Sequence, residues 1–158
     1  MSVISSPTGL PTSARPRTRL YTSEELERLP QKGRYELIRG ELYRMPNNSA
    51  EHGLRTSRLT WRVAGFVEDN NLGSTFAAET RFTIESTPDT TLGPDFAFVA
   101  KGRISEVPET GYLRLTPDLI LETKSPSDGR RETQIACLGH FRNSSFRHEC
   151  EEIGRAHV

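Results

Sequence analysis

Two short segments, Pro94-Asp95-Phe96 and Glu122-Thr123-Lys124, hold the residues best suited to chemistry. Alternate side chains of a strand share a face, so Glu122 and Lys124 point one way while Leu121 and Thr123 point the other. A charged pair is not core packing for a strand otherwise built from Leu119, Ile120 and Leu121. Burying ionised groups costs several kcal/mol each unless they are paired or bind metal. Asp95 opens a second apolar strand, and Pro94 is tolerated before it because the start of a strand needs no ladder donor there.

If those two strands pair, Asp95 and Glu122 converge on one divalent cation. Mg²⁺ (or Mn²⁺) accepts two carboxylates, waters and a phosphate oxygen, since it dehydrates reluctantly and prefers hard oxygen ligands. The backbone carbonyl of Thr123 is a further candidate metal ligand. The chemistry expected of such a set is phosphodiester hydrolysis, with Lys124 orienting the attacking water or offsetting developing negative charge.

Each of these residues also has a plainer reading. Asp95 could satisfy turn amides at the start of its strand, and Glu122 with Lys124 could be a same-side ion pair on a solvated sheet face. Asp118 shares a face with Glu122 but stands about 13 Å away at ~3.3 Å per residue, and it reads as a turn residue. The three together favour the functional reading over the separate plain ones.

The elements that must position this set are legible in outline. Thr22 with Glu25 forms a capping-box pattern that opens a short helix through Leu26 and Leu29, stopped by Pro30. Residues 35–45 alternate around Arg39-Gly40, as in a hairpin. From about His52 to Asn70 the period becomes helical, with Leu59, Val63, Phe66 and Val67 as the apolar stripe and Gly73 as the terminator. His52 falls on the side of Leu59 and Val63, while Arg55, Arg58 and Arg62 form a neighbouring stripe that reads as a solvated face. Strands are expected over 74–84, 95–100 and 118–124, with turn-rich segments over 88–94 and 101–117 between them. This order predicts an α/β or α+β domain with a mixed sheet.

The ordered segments carry a resemblance. Tyr35-Glu36-Leu37-Ile38-Arg39-Gly40-Glu41-Leu42, then His52-Gly53, Pro94-Asp95, and finally Pro117 to Glu122 with Ser125-Pro126-Ser127, resemble the Uma-type restriction endonucleases. That bacterial group was long carried as a domain of unknown function and is similar to the PD-(D/E)xK nucleases. The likeness spans about residues 22–130. It implies a restriction-endonuclease-like fold, a central mixed sheet flanked by helices, and a Mg²⁺-dependent phosphodiesterase site acting on DNA. It maps Asp95 and Glu122 onto metal ligands and sets Glu36 and His52 beside them as additional catalytic-site residues. Without the resemblance, Glu36 reads as an exposed hairpin residue and His52 as a helix-start residue packed on the core.

Composition bounds the rest. A chain of 158 residues suits one domain, about a third of it apolar and over a quarter charged. Basic and acidic residues balance at 21 each, so no global positive field marks a nucleic-acid partner. That balance does not exclude a nuclease, because acidic ligands offset basic contacts. No apolar run reaches the ~18 residues of a membrane span, and residues 1–20 lack the apolar core of a secretory signal. They read as a disordered leader, and a cytoplasmic location is the default expectation.

After residue 131 the composition changes. Both cysteines and three of the four histidines lie beyond residue 136. Cys137, His140, His148 and Cys150 could be read as zinc ligands, but their spacing fits no standard finger. The resemblance leads to an expected lysine- and tyrosine-bearing helix and one more apolar strand after Ser127, and neither is apparent. The last seven residues, 152–158, resemble a translated sequencing-adapter oligonucleotide. Residues 132–158 are therefore expected to be an aberrant tail on a domain of 21–131, leaving the fold truncated at its C-terminal side. Three functions follow from these readings: a Mg²⁺-dependent endonuclease, a non-catalytic DNA-binding or interaction module of the same fold, and an inactive fragment. A homodimer is plausible by analogy with nucleases that cut both strands.

Overall fold

Thr22 caps the first helix as the sequence anticipates: its hydroxyl accepts from Glu25 N–H, and the Glu25 carboxylate accepts from Thr22 N–H. The computed structural model describes residues 19–30, 33–123 and 133–137. In chain order they form α1 (Ser23–Glu27), β1 (Arg34–Ile38), β2 (Glu41–Met45), α2 (Ala50–Asp69), β3 (Gly73–Ala77) and β4 (Phe82–Glu85). Then come β5 (Thr90–Leu92), β6 (Phe96–Ala100), a 3₁₀ turn (Lys101–Glu106), β7 (Leu119–Thr123) and β8 (Thr133–Cys137).

The α+β class holds, but the sheet is divided. One four-stranded sheet runs β2-β1-β5-β4 and a second runs β3-β6-β7-β8, and every pairing between these strands is antiparallel. Among the described residues, the parallel component of the expected mixed character is the isolated bridge from Phe82 to Leu113. The strand expected over 74–84 is likewise two strands, one in each sheet, broken at Glu79 with φ +73°. Alternation within each half cannot reveal that the chain changes sheets between them.

β6 explains the apolar run that marked it. Phe96 and Phe98 pack with Leu119 and Leu121 beneath Leu59, Val63 and Val67 of α2. Ala97 and Val99 face the other way, against Phe82, Leu113 and Leu115. A strand covered on both faces cannot alternate with polar residues. Leu54, Arg58, Trp61 and Arg62 lie on the outward side of α2, in keeping with a solvated face, whereas the largely buried Arg55 side chain pairs with Glu51.

Three details correct the expectations. The helix ends at Asp69 with Asn70 as its cap, close to the expected limit, and Gly73 is not its terminator. Gly73 begins β3, where an added Cβ would lie 2.1 Å from the Val99 carbonyl oxygen, so glycine is required by close strand approach. A short strand, β5, runs through the supposed turn region. Finally, β8 occupies residues assigned to the aberrant tail and pairs with β7 from Leu119–Cys137 to Thr123–Thr133. Thr133-Gln134-Ile135-Ala136-Cys137 is not apolar enough to announce itself, but strand addition needs only backbone partners. Lys124, His140, His148 and Cys150 lie outside the described residues. No helix among the described residues is long and apolar enough to cross a membrane.

Candidate active site

The chain passes from one sheet to the other at Leu92-Gly93-Pro94-Asp95, between β5 and β6. Asp95 therefore sits at a crossing point, just before a strand buried on both faces. It is itself buried, at 5% exposure. Both carboxylate oxygens are held: Oδ2 accepts the Thr123 N–H at 2.8 Å, and Oδ1 lies 3.1 Å from His52 Nε2.

β6 and β7 do pair, with Phe96 opposite Leu121. Asp95 precedes Phe96 and Glu122 follows Leu121, so both carboxylates stand at the same end of this pair. In β7, Leu119, Leu121 and Thr123 are buried, while Ile120 packs against the second core cluster and Glu122 opens to solvent. The Thr123 hydroxyl accepts from Thr56 of α2 at 2.9 Å, which ties the end of β7 to the helix that supplies His52. Ser49 caps that helix by accepting the His52 N–H, fixing its first turn beside Asp95.

Glu36 reaches the same place from the other sheet. Its Oε1 accepts the Gly93 N–H at 3.3 Å, bracing the loop that leads into Asp95. A pocket of about 180 Å³ gathers Glu36, His52, Asp95, Glu122 and Thr123, with Arg34 on its wall. Four residues singled out from sequence thus meet: Asp95, Glu122, His52 and Glu36, with Thr123 between two of them. Asp118 does not join them. It is buried at the far end of β7, accepting from Ala100 N–H and from Arg103.

Arg34 was not anticipated, although it shares a strand face with Glu36 by the two-residue period and so carried a usable signal. Its charge partly offsets the electrostatics around Glu122. Packing around that carboxyl, then the negative charges of Asp95 and Glu36, push the Glu122 pKa up to about 7, and Arg34 opposes the rise. The side chain opens to solvent while its carboxyl group lies among acids, so repulsion is screened but not removed.

Among the described residues, no group of three or more His, Cys, Asp and Glu is close enough to form a metal cage. The donor set nonetheless suits a hard cation that keeps most of its own waters. One or two carboxylates are the usual protein share for Mg²⁺, and a cation would offset the acid repulsion that, after burial, raises the Glu122 pKa to about 7.

The α+β fold thus gathers three acids where two sheets and the start of a helix converge. The chain belongs to the Uma2 family, described as "Putative restriction endonuclease", whose model matches residues 23–143. The chain is also similar to a crystal structure from Anabaena variabilis ATCC 29413, described as "a putative nuclease belonging to DUF820". The two superpose with a TM-score of 0.57 at 18% identity, over 87% of this chain and 99% of that one. No curated protein matches.

Proposed function

We propose that this protein hydrolyses phosphodiester bonds in DNA, using Mg²⁺ or Mn²⁺ held by Asp95, Glu122 and the Thr123 carbonyl. The observation that carries the reading is the buried Asp95 carboxylate, fixed by His52 and the Thr123 amide where β7 delivers Glu122. The bound ion would polarise the scissile phosphate and lower the pKa of a coordinated water.

The chain's own residues do the positioning. His52 and the Thr123 N–H hold Asp95 in one orientation, so no reorganisation is needed when substrate arrives. Glu36 keeps the Gly93 turn in place and contributes negative charge that favours cation entry. Lys124, two residues beyond Glu122, is assigned to orient the attacking water and offset charge building on the phosphate. DNA as substrate follows from the family, whose description is that of a restriction endonuclease.

The test combines cleavage and binding. Plasmid and oligonucleotide DNA are incubated with the wild-type chain and Asp95→Asn in Mg²⁺ or Mn²⁺, and unfolding temperature is followed with and without metal. A ligand that binds only the folded state stabilises it by about 2.7 kcal/mol at a hundredfold excess over Kd. Cleavage and a metal-dependent rise, both lost in Asp95→Asn, are the expected result. Undiminished cleavage by Asp95→Asn removes that carboxylate from the mechanism.

A further inference from the structure

The carboxylate pocket has a neighbour. Arg34 lines both it and a larger cleft of about 500 Å³ walled also by Arg81, Tyr35, Tyr112, Asn47 and Leu29. One guanidinium thus belongs to both cavities. Arg34 and Arg81 also converge on a single acid: Arg34 Nε lies 2.7 Å from Glu79 Oε1, and Arg81 Nη2 lies 3.8 Å from Glu79 Oε2.

The three side chains are unequally placed. Those of Arg34 and Arg81 are 24% and 13% exposed, whereas that of Glu79 is 56% exposed. The acid reaches in from solvent, from the turn between β3 and β4, with its backbone at φ +73°. Glutamate rarely adopts that left-handed conformation, and there it holds the carboxylate against both arginines. The match is imperfect: Arg34 Nε is sealed from solvent yet makes no aligned hydrogen bond. The Glu79 carboxylate is shared between two largely buried guanidinium groups, and Arg34 also faces Glu122 across the neighbouring pocket. Two guanidinium groups with spare donors are suited to the geometry of a phosphate.

We propose that Arg34 and Arg81 form a phosphate subsite for a nucleic-acid strand, beside the carboxylate pocket. Glu79 fills it in the free protein and gives way to a backbone phosphate next to the scissile one. Tyr35 and Tyr112 wall the space for the attached nucleotide, and the cleft volume lies within the range of small-ligand sites. This assignment rests on the nuclease reading for its substrate class. The shared Arg34 supplies the continuity that a free phosphate ion would not need.

The experiment is fluorescence anisotropy of a labelled oligothymidylate of about a dozen nucleotides. It is run in EDTA across a salt series, on the full chain and on Arg81→Gln, Arg81→Lys and Glu79→Gln. Arg81→Gln is expected to weaken binding about tenfold, as for one lost charge-assisted contact. It should also flatten the slope of log affinity against log salt by about 0.7, the value for one phosphate of a single strand. Arg81→Lys should recover most of the slope. Glu79→Gln removes the competing acid and should tighten binding, an effect in the opposite direction that general loosening of the fold would not give.

Unchanged affinity and slope in both Arg81→Gln and Glu79→Gln overturn the subsite, as does weakening in both. Inorganic phosphate added to the wild type distinguishes the source of the anion. Stabilisation by phosphate without oligothymidylate binding assigns the arginines to a free ion and overturns the nucleic-acid proposal. Because binding is measured without metal, absent cleavage in Mg²⁺ would count against the catalytic reading alone.

Discussion

Replacing Glu122 by glutamine isolates the electrostatic cost of the proposed metal site. The Glu122 pKa rises from 4.5 to about 7 in the folded chain, first through burial and then through Asp95 and Glu36. The unfolded chain releases this proton near 4.5 and the folded chain near 7, so wild-type stability falls as pH rises between those values and then levels off. Unscreened, that rise would correspond to about 3 kcal/mol at ~1.4 kcal/mol per pKa unit. Glu122 opens to solvent, and screening reduces the realised cost to about 1 kcal/mol. Glu122→Gln carries no such cost, so at about pH 8 without metal it should unfold about 3 °C above wild type. The difference should shrink toward zero near pH 4.5. With Mg²⁺ or Mn²⁺ the order should reverse, because only the wild type gains a ligand, and its metal affinity should rise with pH through about 7. Thermal unfolding by circular dichroism over a pH series reads all three. Equal unfolding temperatures at high pH, or a gap that does not depend on pH, would refute the electrostatic argument.

The remaining predictions separate chemistry from scaffold. Lys124→Ala should abolish DNA cleavage while leaving the metal-induced rise in unfolding temperature largely intact; undiminished cleavage would remove Lys124 from the mechanism. Asp118→Ala strips the partner from the Ala100 amide and one of several from Arg103, which keeps Glu106 and the Thr116 carbonyl, so it should cost about 2 kcal/mol in denaturant unfolding yet leave metal binding at the native concentration dependence. Gly73→Ala forces a Cβ onto the Val99 carbonyl oxygen and should destabilise by about 2–4 kcal/mol, read as a lower denaturant midpoint. A loss below about 0.5 kcal/mol would show that β3 and β6 separate easily there.

Local signals proved sound where one element decided its own fate. The capping box of Thr22 and Glu25, the hairpin about Arg39-Gly40 and the stripe Leu59-Val63-Val67 depend on neighbours within a turn or two, and all three are present. Failures came where the outcome depended on distant chain. β5 and β8 are strands because β1, β4 and β7 offer them backbone partners, and their own residues are weakly patterned. Phe82 to Glu85 left the strand before it for another sheet, a choice that alternation cannot encode.

The site divides the same way. Sequence alone marked Asp95 and Glu122 as carboxylates set at apolar strands, where ionised groups are costly without a purpose, while the pairing of those strands was decided by the tertiary structure. Sequence also determined that Glu122 and Thr123 face opposite ways, because strand period is fixed by backbone geometry. Only the tertiary structure decided that Glu36 and Arg34 arrive from another sheet. It alone decided that His52 and the Thr123 amide share the two oxygens of Asp95, and that Arg34 and Arg81 meet at Glu79. Those meetings join segments far apart in the chain, and their distances are set by how sheets and helix pack rather than by any local spacing.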